Sequence, residues 1–153
     1  VTVTGDGVVN PGNNKVLFGT NQNELIEAAG GLKACCEKVI SGGPMMGFAM
    51  YTTDTPITKT SSSILCMSKD EVSACEPTAC INCGRCVDAC PSRIIPSRLA
   101  DFAERHDEEA FLKFNGLECV ECGSCSYVCP AKRQLKQAIG SMRKTALANK
   151  KKK

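Results

Sequence analysis

The chain has 153 residues, a formal charge of +3, 5% aromatic residues, no Trp and twelve Cys. That length fits one or two small domains, and no run of 18 apolar residues exists that would span a bilayer as a helix. With so few aromatic side chains a large apolar core is excluded, and bound metal is expected to supply much of the order wherever the cysteines gather.

Residues 1–75 read as a small mixed unit. Val1 to Thr4 is β-branched and extended, and it opens the chain without Met or a secretion signal. The chain therefore reads as a piece of a longer polypeptide in a reducing compartment. Gly5-Asp6-Gly7 and Asn10-Pro11-Gly12-Asn13 are turn signals, and Lys15 to Phe18 fits a strand. Asn23 is placed to cap a short helix over 24–29, with Glu24 and Glu27 near its start and Gly30-Gly31 as its stop. Lys38 to Ile40 and Ile64 to Met67 complete the strands. Strand, strand, helix and strand in this order predict a β-grasp-like arrangement.

Two glycine-rich stretches lack the chemistry of nucleotide loops. Gly42-Gly43-Pro44-Met45-Met46-Gly47 has no Lys-Ser/Thr after its last glycine, and Gly5-x-Gly7-x-x-Asn10 lacks a third glycine. Both read as tight turns, with the Met pair in packing or an interface. Lys59 reads as a solvated lysine, with a cofactor or partner contact as the alternative. Four cysteines, Cys35, Cys36, Cys66 and Cys75, lie outside the pattern described next. Cys66 reads as a small buried hydrophobe, whereas Cys75 is near enough to the first cysteine run to compete for a ligand position.

The chemistry is concentrated between Cys80 and Pro130. Cys80-x2-Cys83-x2-Cys86-x3-Cys90-Pro91 recurs 39 residues later as Cys119-x2-Cys122-x2-Cys125-x3-Cys129-Pro130, with Gly84 falling on Gly123. Thiolates two residues apart on a tight turn reach three corners of one [4Fe–4S] cubane, and in this motif the Cys before Pro ligates the other cluster. The expected sets are Cys80, Cys83, Cys86 and Cys129 for one cluster, and Cys119, Cys122, Cys125 and Cys90 for the second. Zinc is the competing reading, since C-x2-C pairs build four-cysteine zinc sites. It leaves the third Cys of each run and the Cys-Pro corner unexplained. An oxidised cluster with four thiolates carries about −2, so two would take the chain from +3 to about −1.

Between the runs the pattern is helical, which favours a helical ferredoxin-type domain over a small β-hairpin one. Pro96 and Ser97 open a first helix, with Leu99, Phe102 and Ala103 on one face. Asp107 caps a second, which carries Glu108 and Glu109 and stops at Asn115-Gly116. His106, at the break, reads as a surface or capping residue. After Pro130, Leu135, Ala138, Ile139, Met142 and Leu147 recur at helical spacing, and residues 131–153 hold nine Lys or Arg and no Asp or Glu. This tail is either a solvated end or a basic contact for an anionic membrane surface or an acidic partner. Two Tyr and five Phe offer no stacking platform for nucleic acid.

Three stretches together carry a family resemblance: Gly42 to Gly47, Thr58-Lys-Thr-Ser-Ser-Ser-Ile-Leu65, and the double cysteine run with Arg93-Ile-Ile-Pro-Ser-Arg98 after its first copy. From Val1 to about Lys144 the chain resembles the C-terminal half of the C subunit of the Rnf, or ion-translocating oxidoreductase, complex. The resemblance implies an α+β architecture: a soluble-ligand-binding (SLBB) β-grasp domain over 1–75, a dicluster ferredoxin domain over 76–130, and a basic amphipathic helix and tail over 131–153. It also implies a peripheral protein on the cytoplasmic side of the membrane, in a translocase that exchanges electrons between NADH and ferredoxin and couples this to Na+ or H+ transport. Its partners would be the other subunits of that complex, with ferredoxin or another iron–sulfur subunit. FMN and NADH would bind in a part preceding Val1. Cobalamin-reductase subunits share the layout and are an alternative. A structural metal-binding module and a small-molecule-binding module are the alternatives from other classes, and no catalytic constellation is visible.

Overall fold

The computed structural model describes residues 1–70 and 74–151. It falls into two compact units, Val1–Ala74 and Cys75–Lys153. The fold is α+β, with the sheet confined to the first unit.

The first unit contains β1 (Thr2–Thr4), β2 (Gly12–Asn13), α1 (Gln22–Ala28), β3 (Lys38–Ser41), β4 (Phe48–Met50) and β5 (Ser63–Met67). They form one mixed sheet in the order β2-β1-β5-β3-β4. The first and last strands lie side by side in parallel, Val3 opposite Ile64, and the other pairings are antiparallel. A parallel pair needs a crossover, and the chain between β1 and β5 supplies it with α1 and the β3–β4 hairpin. Val3, Ile64 and Cys66 point to one face, where Val8, Leu25, Ile26 and Ile57 bury them.

Three local expectations are corrected by the fold. Lys15 to Phe18 is not a strand: the pairing with β1 is made by Gly12–Asn13, and Leu17 and Phe18 stand 82% and 68% exposed. The turn signal at Gly12-Asn13 and the β-propensity after it are both overridden by register. The cap of α1 is Asn21, whose side chain accepts the Asn23 N–H at 2.9 Å, so the helix starts earlier than Asn23 suggests. β4 is an additional strand that the residue pattern does not mark. Gly42 to Gly47 forms the turn of its hairpin.

The second unit is helical: α2 (Arg85–Asp88), α3 (Pro96–Glu104), α4 (Glu108–Lys113), a 3-10 turn (Gly116–Glu118), α5 (Ser124–Tyr127) and α6 (Leu135–Lys151). The Asp107 side chain accepts the Ala110 N–H at 2.9 Å and caps α4. His106 is exposed with φ 57° at the break, in keeping with a turn residue. Leu99, Phe111, Leu135 and Ile139, each 0–1% exposed, form the core with Cys86 and Met142. In α6 the lower end of the buried stripe runs through Ala146, whereas Leu147 is 37% exposed. A helix turns by about 100° per residue, so a one-residue error in phase moves a side chain off the stripe.

The sequence repeat is also a structural one. A shift of 39 residues lays α2 on α5 and the start of α3 on the start of α6. α2 meets α5 and α3 packs on α6, so each half of the repeat buries the apolar face of the other.

Candidate metal centre

Each cysteine run begins as an irregular loop that turns into a four-residue helix. The turn is made at Gly84 in the first copy and Gly123 in the second, with φ of 78° and 84°. The loop therefore carries its first two cysteines outside the helix and the third, Cys86 or Cys125, inside it. The Cys-Pro corner follows directly after the helix in both copies.

Two clefts open beside these loops. One is lined by Cys80, Cys83, Cys86 and Cys129. The other is lined by Cys119, Cys122, Cys125 and Cys90. Each cleft thus receives three cysteines from one run and the cysteine preceding Pro from the other. Among the described residues, no three Cys, His, Asp or Glu side chains gather tightly enough to hold a single metal ion; the thiols are instead spaced around a cavity. Four soft donors around an apolar-walled void fit a multi-atom iron–sulfur core. Pro91, Ile94 and Ile139 wall the second cleft, and Pro130, Ala131 and Leu135 the first. Cys75 lines neither cleft, and Cys66 is fully buried in the core of the sheet unit.

The thiols do not share one environment. Burial pushes the Cys125 thiol up to about 11 and raises that of Cys119, although the Glu121 N–H donates to Cys119 Sγ at 3.4 Å. Cys122 is held below its ordinary value, first by the Ser124 hydroxyl 3.5 Å from its Sγ and then by the Ser124 backbone. A cluster takes thiolates, so binding one to this set releases protons, and burial makes those of Cys125 and Cys119 harder to remove.

Several cleft residues escape a reading of the cysteines alone. Glu121 and Lys136 line the second cleft, and Arg133 the first. Arg133, in the loop just before α6, bridges to α3, donating to Asp101 at 2.9 Å and to Glu104 at 3.0 Å. Burial works against its charge, but these two carboxylates outweigh it and raise the guanidinium above its ordinary value. The 39-residue shift is the signal that finds them, since it pairs Arg133 with Ile94 and Glu121 with Asn82.

Comparison with known proteins adds an independent finding. Residues 1–49 match the family model of the SLBB domain, and residues 79–133 that of a 4Fe-4S dicluster domain. The chain is 40% identical over 152 residues to the C subunit of the Na(+)-translocating ferredoxin:NAD(+) oxidoreductase complex of Acetobacterium woodii, covering 99% of this chain and 34% of that one. It is 47% identical over 139 residues to the proton-translocating counterpart of Clostridium ljungdahlii, covering 90% and 30%. The same identity over 139 residues, covering 91% and 31%, is found with the C subunit of the ion-translocating oxidoreductase complex of Methanosarcina acetivorans. Over 90–99% of its length the chain is similar to these C subunits. It spans about a third of the length of these curated relatives. The matched domain order, SLBB then dicluster, is the order of the two units, and the match to a 4Fe-4S dicluster domain supports iron–sulfur chemistry over zinc. Among the described residues, no helix is long and apolar enough to cross a membrane.

Proposed function

We propose that this chain is the electron-relay part of a membrane-associated NADH:ferredoxin oxidoreductase coupled to Na+ or H+ transport. In this reading single electrons pass through two [4Fe–4S] clusters, one held by Cys80, Cys83, Cys86 and Cys129 and the other by Cys119, Cys122, Cys125 and Cys90. The observation that carries it is the pair of clefts, each lined by four cysteines drawn three and one from the two runs.

A [4Fe–4S] cluster supplies one-electron acceptance and release. The chain's own part is to hold, orient and shield. Gly84 and Gly123 turn each loop so that its three cysteines face one cleft. The Cys-Pro corners tie each half of the repeat to the other, and apolar side chains wall part of each cleft, limiting water more at the half-buried Cys119 and Cys122 than at the exposed Cys80 and Cys83. Ser124 favours the thiolate of Cys122. No pair of acid and base is needed, because no bond to a substrate is made here.

The sites for NADH and FMN belong, in this reading, to the larger part of the relatives that the chain does not span. The partners are the other subunits of the complex, with ferredoxin or another iron–sulfur subunit as the exchange partner. The placement is peripheral on the cytoplasmic face, with the basic end of α6 against the membrane surface. We propose a division of labour in which 1–75 binds or docks, 76–130 relays electrons and 131–153 contacts the membrane.

The test is iron, sulfide and zinc analysis of anaerobically purified, iron-replete protein, with visible spectra before and after dithionite. About eight iron and eight sulfides per chain, with visible absorption that bleaches on reduction and returns on oxidation, are expected. Stoichiometric zinc, or absorption that reductant leaves unchanged, would refute the relay.

A further inference from the structure

The two clefts are built from equivalent positions, so the places where residue types differ across the 39-residue shift are where the sites themselves differ. Three differences involve charge. Asn82 at the first cleft corresponds to Glu121 at the second, Ser97 to Lys136, and Arg133 at the first to Ile94 at the second. The first cleft thus faces one cation, whereas the second faces an anion and a cation that offset each other.

Glu121 is held in place by the fold. Its backbone takes φ 54°, a left-handed conformation that Asn82 adopts more readily at the matching position. Its carboxylate accepts from Arg143 Nη1 at 3.2 Å, and Arg143 Nε donates to the Leu117 carbonyl at 3.1 Å. A Cβ on Gly140 would stand 3.2 Å from Glu121 Oε2, so the missing side chain of α6 leaves the carboxylate its seat. Arg143 does not line the cleft, so the carboxylate is the nearer charge. At the first cleft Arg133 is only 12% exposed, whereas its partners Asp101 and Glu104 are 36% and 56% exposed and better screened by water.

Solvent access points the same way. Cys80 and Cys83 are exposed, whereas Cys119 and Cys122 are half-buried, although Cys86 is more buried than Cys125. Reduction adds negative charge to a centre already at about −2. A buried cation and water favour that step, and a carboxylate and burial oppose it.

We infer that the two four-cysteine sites are unequal redox centres. The Cys80, Cys83, Cys86 and Cys129 site has the higher reduction potential, the Cys119, Cys122, Cys125 and Cys90 site has the lower one, and Arg133 and Glu121 set the difference. This rests on the cluster reading above. Each reduction takes one electron from the reductant and breaks no bond, and at equilibrium the first electron goes to the first site.

The experiment is a dithionite titration of anaerobically purified protein followed by EPR, with iron and sulfide measured on the same sample. Two separate waves are expected. Glu121→Gln should raise the lower wave by a several-fold change in its reduction equilibrium and leave the upper wave unmoved. Arg133→Gln should lower the upper wave alone, and Arg133→Lys, which keeps the charge, should stay close to the parent. A single unresolved wave at full loading overturns the inference alone, as does a Glu121→Gln change confined to the upper wave or absent. If Arg133→Gln does not fold, Glu121→Gln and Arg133→Lys still decide. A sample without iron and sulfide overturns the cluster reading itself.

Discussion

Gly84 and Gly123, 39 residues apart, hold the same backbone conformation: φ 78°, ψ −13° at the first and φ 84°, ψ −8° at the second. The likeness extends along both loops. Asn82 and Glu121 have φ of 56° and 54°, and Arg93 and Lys132 have 52° and 54°. Each loop is therefore shaped by left-handed residues at matching positions, and only the glycines take them without strain. A Cβ on Gly84 would meet open space, so Gly84→Ala tests the backbone strain by itself. It should cost about 1 kcal/mol and hasten loss of iron from that site in a chelator challenge. Gly84→Asn should cost less.

Crossed ligation is tested by two mutants. If Cys90 shares a cleft with Cys119, Cys122 and Cys125, Cys90→Ser should resemble Cys122→Ser in its EPR and Mössbauer spectra. Cys129→Ser should resemble Cys83→Ser. Serine oxygen is a harder, poorer partner for iron among sulfurs. Should Cys90→Ser match Cys83→Ser instead, each run holds its own cluster.

Phe111 is fully buried at the centre of the helical unit, and Gly116 is shaped to it. A Cβ on Gly116 would fall 2.3 Å from the Phe111 ring. Phe111→Ala should destabilise by about 3–5 kcal/mol through the cavity it leaves, and Gly116→Ala by about 1–3 kcal/mol through overpacking. Denaturant unfolding of the loaded protein measures both. Equal stability of Gly116→Ala would show that the ring can move aside.

Asp6 ties the turn after β1 to the end of β5. Its carboxylate accepts from the Ser68 hydroxyl and, at 2.9 Å, from the Ser68 N–H. The hydroxyl first and the N–H second hold Asp6 below its ordinary value of 3.8. A carboxyl lowered in the folded state stabilises above its ordinary value, and that contribution is lost as pH falls through the folded value. Protection of the Ser68 amide from hydrogen exchange should therefore weaken below pH 3.8, and Asp6→Asn should flatten that dependence. An identical pH profile in the variant would remove Asp6 from the account.

The basic end of the chain gives a salt-dependent prediction. Lys150 and Lys151 close α6, and Lys152 and Lys153 lie outside the described residues. Replacing all four with Gln should weaken binding to vesicles rich in anionic lipid, most at low ionic strength. Binding that is unchanged at every salt concentration would make this a solvated end.

Much of this protein can be read without its structure because its strongest constraints are local. The spacing of Cys80, Cys83 and Cys86, the glycine beside Cys83 and the Asp107 cap act within a turn or two of chain, where residue type and backbone angle are coupled directly. The same holds for β5, whose alternation of Ile64 and Cys66 marks a buried face, and for the halting of α1 at Gly30-Gly31. Other features come from partners distant in sequence. Val3 lies beside Ile64 in a parallel pair, and nothing near either residue states it. β4 is an edge strand of exposed Phe48 and Ala49 without alternation to mark it, and Gly12–Asn13 outcompetes Lys15–Phe18 because β1 offers the register. Ala146 replaces Leu147 in the buried stripe of α6 because the helix takes its phase from α3. The meeting of Arg133 with Asp101 exists only once the two halves of the repeat close on each other, and that of Glu121 with Arg143, over the space left by Gly140, only once α6 folds back on the second cysteine loop. Spacing along the chain says which residues can act as ligands. Which charges stand beside them depends on long-range packing, where apolar burial chooses the arrangement and polar side chains are carried along with it.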